Sequence, residues 1–335
     1  MDTVQISFGV VVTLVIVALL FDFMNGFHDA ANSIATIVST RVLKPYQAVI
    51  WASAFNFIAY FFFQLKVATT IGKGTIDPGI VNHYVIFGAL IGAIIWNVIT
   101  WYYGIPSSSS HALVGGLVGA AIAEAGVNGL IAAGVLKIIA FIFIAPFLGF
   151  MIGGSLMVIV SWLCRKLAPR KVDKYFRKLQ LISAAAYSLG HGGNDAQKTI
   201  GIIWMLLIAA GMSSTTSEIP GWVVFSCYAA MGLGTMFGGW RIVKTMGNRI
   251  TKLNQARGFC ANSGGAVTLF MATALGIPVS TTHTITGAIA GVGSTRGARR
   301  VRWGVAGGIV WAWVLTIPCS ATMAAIAWYI GRMVL

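Results

Sequence analysis

The 335-residue chain is 57% hydrophobic and only 9% charged, holds 40 glycines and has a mean hydropathy of +0.84. That composition excludes an ordinary soluble globule and marks an all-α polytopic membrane protein with no soluble domain. The net charge of +15 would suggest nucleic acid in a soluble protein, but most of the bases lie in three short loops, as the positive-inside rule expects of cytoplasmic ones.

Apolar runs near or above the roughly 20 residues that cross a bilayer occupy about 5–21, 46–65, 84–103, 129–163, 199–211, 220–240, 258–275 and 303–331. With shorter, broken runs they predict roughly ten to twelve membrane segments. The N-terminus has no basic n-region and no small-residue cleavage site, so its first run is retained rather than removed as a signal peptide. Asp22, Asn25, Asp29 and Asn32 follow at i, i+3, i+7 and i+10, a polar stripe on one helix face, with His28 beside it. Residues 5–39 form either one broken span or a span plus a half-helix.

The run at 84–103 ends in Gly104-Ile105-Pro106-Ser107-Ser108-Ser109-Ser110-His111, polar and helix-breaking between apolar segments. Lipid supplies no partners for free backbone or hydroxyl groups, so such a break needs protein or a water-filled cavity around it. It reads as a binding site. Pro146 then sits inside a long apolar stretch that it can kink. Residues 164–180, basic and amphipathic through Leu167, Tyr175, Phe176 and Leu179, form a connector on the inner membrane surface. It divides a first half, 1–163, from a second, 181–335.

The second half repeats the first. A shift of 166 residues sets Ser188, His191, Asp195 and Lys198 against the polar stripe, with Asn194 against His28. A shift of 172 brings up Gly276-Ile277-Pro278-Val279-Ser280-Thr281-Thr282-His283, and Pro318 echoes Pro146. Equivalent loops differ in charge. Residues 124–130 contain Glu124 and no base, whereas 296–302 carry Arg296, Arg299, Arg300 and Arg302; Arg41 and Lys44 correspond to a stretch, 213–218, with none. Equivalent loops therefore face opposite sides, which predicts two inverted-topology repeats with discontinuous helices, the site near the midplane. Lys66 and Lys73 run against this pattern, because their loop should be external. Small-residue steps at Gly115–Gly119 and Gly234–Gly238 serve helix packing or a dimer seam. Cys164, Cys227, Cys260 and Cys319 are isolated and indicate neither disulfide nor metal.

Hydroxyls and backbone N–H groups at half-helix N-termini suit a tetrahedral oxyanion. Ser107, Ser108, Ser109, Ser110, Ser280, Thr281 and Thr282 are the candidates, joined by Asn25 and Asn32; their alternative role is capping, and which of them touch the anion stays open. Asp29 and Asp195 at membrane depth cost roughly 2.5 to 3.5 kcal/mol each on insertion scales and call for a cation or a proton. A structural pair of Asp195 with Lys198, and an interfacial place for Asp22, are the bland readings. His28, Asn194 and Lys198 bear on the coupling ion: an ammonium can replace a sodium ion, and an imidazole titrates near neutral pH. A hydrogen-bonded packing role is the alternative for His28, His111, His191 and His283, and His83 takes no role. A serine hydrolase built on Ser110 or Thr282 lacks the Gly-x-Ser-x-Gly elbow, and a permanent pore sits badly with buried carboxylates.

Two Asp-centred motifs, each followed by an Ile-Pro-x-Ser-Ser/Thr-Ser/Thr-His hairpin, closely resemble the inorganic phosphate transporter (PiT) family, in its bacterial low-affinity permease branch. The family signature Gly-Ala-Asn-Asp-Val-Ala-Asn-Ala falls on Gly26 to Ser33 and again on Gly192 to Thr199. His28 departs from it in the first copy and Lys198 in the second, as in the proton-coupled branch. The resemblance implies a homodimer, two re-entrant hairpins, phosphate held where the halves meet, sodium ions nearby and no cofactor. The expected function is a symporter importing inorganic phosphate across the cytoplasmic membrane, coupled to H+, with a metal–phosphate complex as a second form of the load and Na+ coupling as an alternative. Sulfate permease of the same family is the alternative, and nucleic acid is no partner.

Overall fold

The computed structural model describes residues 6–248 and 250–334; Gln5 of the first apolar run and Arg249 of the second basic loop lie outside the described residues. Among the described residues twelve α-helices follow one another: α1 (Phe8–Ser39), α2 (Pro45–Ile58), α3 (Lys66–Gly74), α4 (His83–Tyr103), α5 (Ser109–Ala125), α6 (Ala132–Leu163), α7 (Pro169–Ala209), α8 (Gly221–Phe237), α9 (Trp240–Asn248), α10 (Gln255–Ala274), α11 (Thr281–Ser294) and α12 (Trp303–Val334). Among the described residues the only β pairing is an isolated bridge between Ile76 and Leu130.

Two expectations change. The polar stripe at Asp22–Asn32 does not break its span, because α1 runs through it as one 32-residue helix. Nor is the connector a separate surface helix. Residues 169–180 are the first turns of α7, whose 41 residues extend about 60 Å at 1.5 Å per residue, twice the hydrocarbon thickness. Pro169 is suited to the first helical turn, and neither Gly nor Pro interrupts the chain from there to Gly190.

Five helices (α1, α4, α5 with the turn after it, α6 and α12) are long and apolar enough to cross a membrane, and α2 with α3, bent by 78°, makes a sixth. Fewer segments pass on length and composition than the ten to twelve expected. The shortfall has two physical causes: α7 and α10 bury polar groups such as His191, Asn194, Lys198 and Asn262, which dilutes their hydropathy, while α8 and α11, at 17 and 14 residues, are short.

Each serine-rich break is built by the same local chemistry. Asn82 caps α4 through Val85 N (3.0 Å), and Asn254, 172 residues on, caps α10 through Arg257 N (3.1 Å). The helices end at Gly104 and Gly276, left-handed at φ +66° and +68°, and Ile105 N and Ile277 N reach back to Thr100 O and Ala272 O, both at 2.8 Å. This is the glycine-terminated helix end, which only glycine adopts without strain. A proline follows, and then Ser108 and Ser280 cap α5 and α11 on the N–H groups of His111 and His283, both at 3.2 Å.

Packing crosses between the halves. Gly115 and Gly119 of α5 lie so close to α12 that a Cβ would overlap Ile317, Ser320 and Ala321; Gly287 and Gly291 of α11 are pressed in the same way against Pro146 and Phe150 of α6. The last long helix of each half thus packs on the broken pair of the other. Gly234 abuts Phe23 of α1, so both small-residue steps serve contacts within the chain.

The short amphipathic helices α3 and α9 seat these breaks. Lys66 and Thr70 of α3 donate to Ala274 O (3.2 Å) and Gly276 O (2.7 Å), while Arg241 and Thr245 of α9 donate to Tyr102 O (2.6 Å) and Gly104 O (3.3 Å). Lys73 donates to Thr215 O and lies 4.4 Å from the Trp204 ring centroid. The two lysines that ran against the loop-charge pattern are therefore held by partners within the protein.

Candidate functional site

The first turns of α5 and α11 meet inside the protein: the His111 and His283 rings are 4.5 Å apart, edge to face, and His283 stacks on Trp313 at 3.7 Å. Two sets of helix N–H groups and seven hydroxyls thereby converge, and every one of those hydroxyls is buried. The polar segments of α1 and α7 pass beside them.

These segments reach across the halves in a matched way. Asn32 of α1 donates to Thr282 Oγ1 (2.9 Å) and Thr281 Oγ1 (3.3 Å) on α11. Lys198, its counterpart on α7, donates to Ser110 Oγ (2.5 Å) on α5, and also to Val279 O (2.7 Å) and Asp195 Oδ1. An ammonium has three hydrogens to give, so all three are used, and this fully buried cation is both paired and hydrogen-bonded, as burial of a charge requires.

Asp195 also accepts from Thr281 Oγ1 (3.0 Å) and Ser110 Oγ (3.3 Å), touching both breaks at once. His191 Nε2 lies 3.3 Å from its other oxygen. Asp29 is held differently. His28 Nδ1 lies 2.8 Å from Asp29 Oδ1, and His28 Nε2 is 3.1 Å from Thr100 Oγ1, with Ser107 and Ser109 hydroxyls 3.5 Å from the ring nitrogens. Ligand atoms of Asp29, His191 and Asp195 all fall within 4.8 Å of one another, a spacing at which one cation could join them.

The remaining candidates separate by what they touch. Asn194 is bonded to the second break: it donates to Thr273 Oγ1 (2.9 Å) and Ile277 O (3.2 Å) and accepts from Val279 N (3.1 Å). Ser108 and Ser280 are the two caps. Asp22 is fully buried rather than interfacial, accepts from Thr199 Oγ1 (3.0 Å), and leaves Oδ2, like Asn25 Oδ1, without a partner among the described residues. Sequence reasoning missed Thr100, Tyr187 and Asn56. Thr100 anchors His28 and accepts from Ser107 (2.9 Å), Tyr187 donates to Thr281 O (2.9 Å), and Asn56 Oδ1 lies 3.1 Å from His191 Nδ1. A lone polar residue in an apolar run was their available signal.

Residues 25–324 match the phosphate transporter family. The chain belongs to that family. It is 59% identical over 329 residues to a protein of Rhizobium meliloti (strain 1021) named probable low-affinity inorganic phosphate transporter, covering 98% of each chain. It is 47% identical to a Bacillus subtilis (strain 168) protein of the same name, over 96% of this chain and 97% of that one. The structure is similar to a solved one described as the sodium-dependent phosphate transporter, with a TM-score of 0.89 and 26% identity over 98% of this chain and all of the other. Membership makes this a multi-pass membrane transporter rather than an enzyme.

Proposed function

We propose that the protein is a symporter that imports inorganic phosphate across the cytoplasmic membrane, coupled to protons. The observation that carries the reading is Lys198, whose ammonium joins Asp195 to Ser110 on one break and Val279 on the other. A phosphate dianion entering this site meets three carboxylates, Asp22, Asp29 and Asp195, and dwells only if they are neutralised. Lys198 neutralises Asp195, which removes the need for one metal ion. Asp29 is left for the mobile cation, and the adjoining His28 gives it a partner that exchanges protons near neutral pH. Thr281, Thr282 and Ser110 then turn their hydroxyls from these side chains to the anion, with the N-termini of α5 and α11 adding their partial positive charge. A neutral metal–phosphate complex is a second form of the load, with Asp29, His191 and Asp195 as the groups that would face its metal.

On this reading α4–α5 and α10–α11 are re-entrant hairpins of two inverted repeats. Matched caps, left-handed glycines and crossed glycine contacts support the repeat. A cavity of about 610 Å³ reaches Gly104, Ile105 and Pro106 beside Arg241, against about 240 Å³ beside Lys66 at the second break; the larger opening on the basic side fits a conformation leaning toward the cytoplasm. A homodimer is part of the proposal, through a face other than the two glycine steps.

Uptake of labelled phosphate and sulfate into proteoliposomes, under an imposed pH or sodium gradient, tests it. Phosphate uptake driven by an inward pH gradient is expected. Sulfate uptake that excess phosphate does not inhibit overturns the substrate, and sodium-driven uptake indifferent to pH overturns the coupling.

A further inference from the structure

At the far end of α11 from the hydroxyls, a cavity of about 400 Å³ is lined by Lys252, Arg257, Arg296, Arg299, Arg300 and Arg302. Two loops are fastened together to make it, Arg302 N donating to Ile250 O (3.0 Å) and Thr251 Oγ1 to Arg300 O (3.1 Å), and the first is closed on itself by Arg257 Nη1 donating to Lys252 O (2.7 Å). No carboxylate pairs with any of these bases among the described residues, the ion pairs there being confined to Asp29 and Asp195. Partial burial, and then the neighbouring Arg296 and Arg300, push the Arg257 guanidinium below its ordinary range. Like charges held together this way repel one another until an anion joins them.

What that anion carries is indicated next door. The last turn of α11 also borders an apolar groove of about 480 Å³ on α6, lined by Phe150, Met151, Gly154, Val158 and Ile159 and reaching Gly291, Ser294 and Thr295. Met151, Val158 and Ile159 stand exposed there. Arginines bind phosphate groups through their planar donors, and a basic pocket at the cytoplasmic surface attracts anionic headgroups. We infer that the pocket and groove together bind one anionic phospholipid, its headgroup phosphate among Arg257, Arg296 and Arg300 and an acyl chain along α6. Occupancy ties the 250–257 and 296–302 loops, and with them the C-terminal end of α11, whose other end bears the transport hydroxyls.

The test titrates the purified protein in detergent with phosphatidylglycerol, phosphatidylcholine or inorganic phosphate, counting bound lipid by native mass spectrometry and following thermal stability. Phosphatidylglycerol is expected to bind one per chain and raise Tm, and phosphatidylcholine to do neither. The double variant Arg296→Gln/Arg300→Gln should need about thirtyfold more phosphatidylglycerol for half-saturation, since two surface bases each add about a factor of five. Ser155→Trp, which fills the groove and keeps the arginines, should weaken long-chain lipid while sparing short-chain phosphatidylglycerol. Equal phosphatidylglycerol binding by wild type and double variant overturns the proposal. So does a phosphate-induced stabilisation that only the double variant loses, which would make this a free-phosphate site, or a dimer that either variant dissociates, which would make it a seam between copies.

Discussion

Lys66 and Arg241 perform the same task at opposite breaks. Each stands at the start of a short amphipathic helix and donates to the carbonyl two residues before a left-handed glycine, Lys66 to Ala274 O and Arg241 to Tyr102 O, with a threonine one turn on bonding the glycine itself. A hydrogen bond from a charged group contributes about 1.5 to 3 kcal/mol when sheltered and less when exposed. Arg241→Gln and Lys66→Gln should each lower uptake severalfold at normal membrane expression. The clamps are separate, so their effects on thermal stability should add to within about 0.5 kcal/mol; strong non-additivity would mean that they act as one unit.

Asp29→Asn and Asp195→Asn should both abolish phosphate uptake, but at different structural cost. Removing Asp195 leaves the buried Lys198 ammonium without its counter-charge, a loss of about 3 to 5 kcal/mol. Asp29→Asn removes only a partner of His28 and should cost about 1 to 3 kcal/mol. Thermal unfolding in detergent ranks them, and near-normal uptake by either would identify a structural carboxylate.

Lys198→Asn restores the amide of the family signature. With the fixed ammonium gone, Asp195 again needs a mobile cation. Uptake should then rise with an imposed sodium gradient, to which the proposed proton coupling makes the parent protein indifferent. A variant that remains inactive with and without sodium, though folded, would show that the ammonium does more than replace an ion.

His28→Asn tests the other departure from the signature. If His28 and Asp29 together carry the coupling proton, the variant should lose uptake driven by a pH gradient while still binding phosphate, as measured by isothermal titration. An undiminished response to the gradient would return His28 to a packing role between Asp29 and Thr100.

Gly115→Val and Gly287→Val probe the crossed packing of α5 on α12 and α11 on α6. A side chain at either position overlaps backbone or a buried hydroxyl on the facing helix, so the helices must separate. Each should destabilise by about 1 to 3 kcal/mol or more and reduce expression. At the exposed Gly304, where a Cβ meets nothing, the same change should be silent.

Much of the site was legible because its signals are local. Gly104, Pro106 and Ser108 end one helix and start the next within five residues, and their echoes at Gly276, Pro278 and Ser280 do the same, whatever the rest of the chain does. The spacing of Asp22, Asn25, Asp29 and Asn32 likewise needs only the helix repeat. Thr100, Tyr187 and Asn56 were not legible, since each matters through a partner at least 72 residues away.

The sequence by itself determined the membrane class, the paired breaks, the two acidic motifs and their kinship with phosphate transporters. Composition, periodicity and capping chemistry act over a few residues and survive in a linear reading. Only the tertiary structure decided that α1 and α7 run unbroken through their motifs, that Asn32 and Lys198 each reach the other half's hydroxyls, and that α6 and α12 exchange partners. Those outcomes depend on which glycine lets two backbones meet and on which buried donor finds an acceptor, and both are settled only when distant segments pack together.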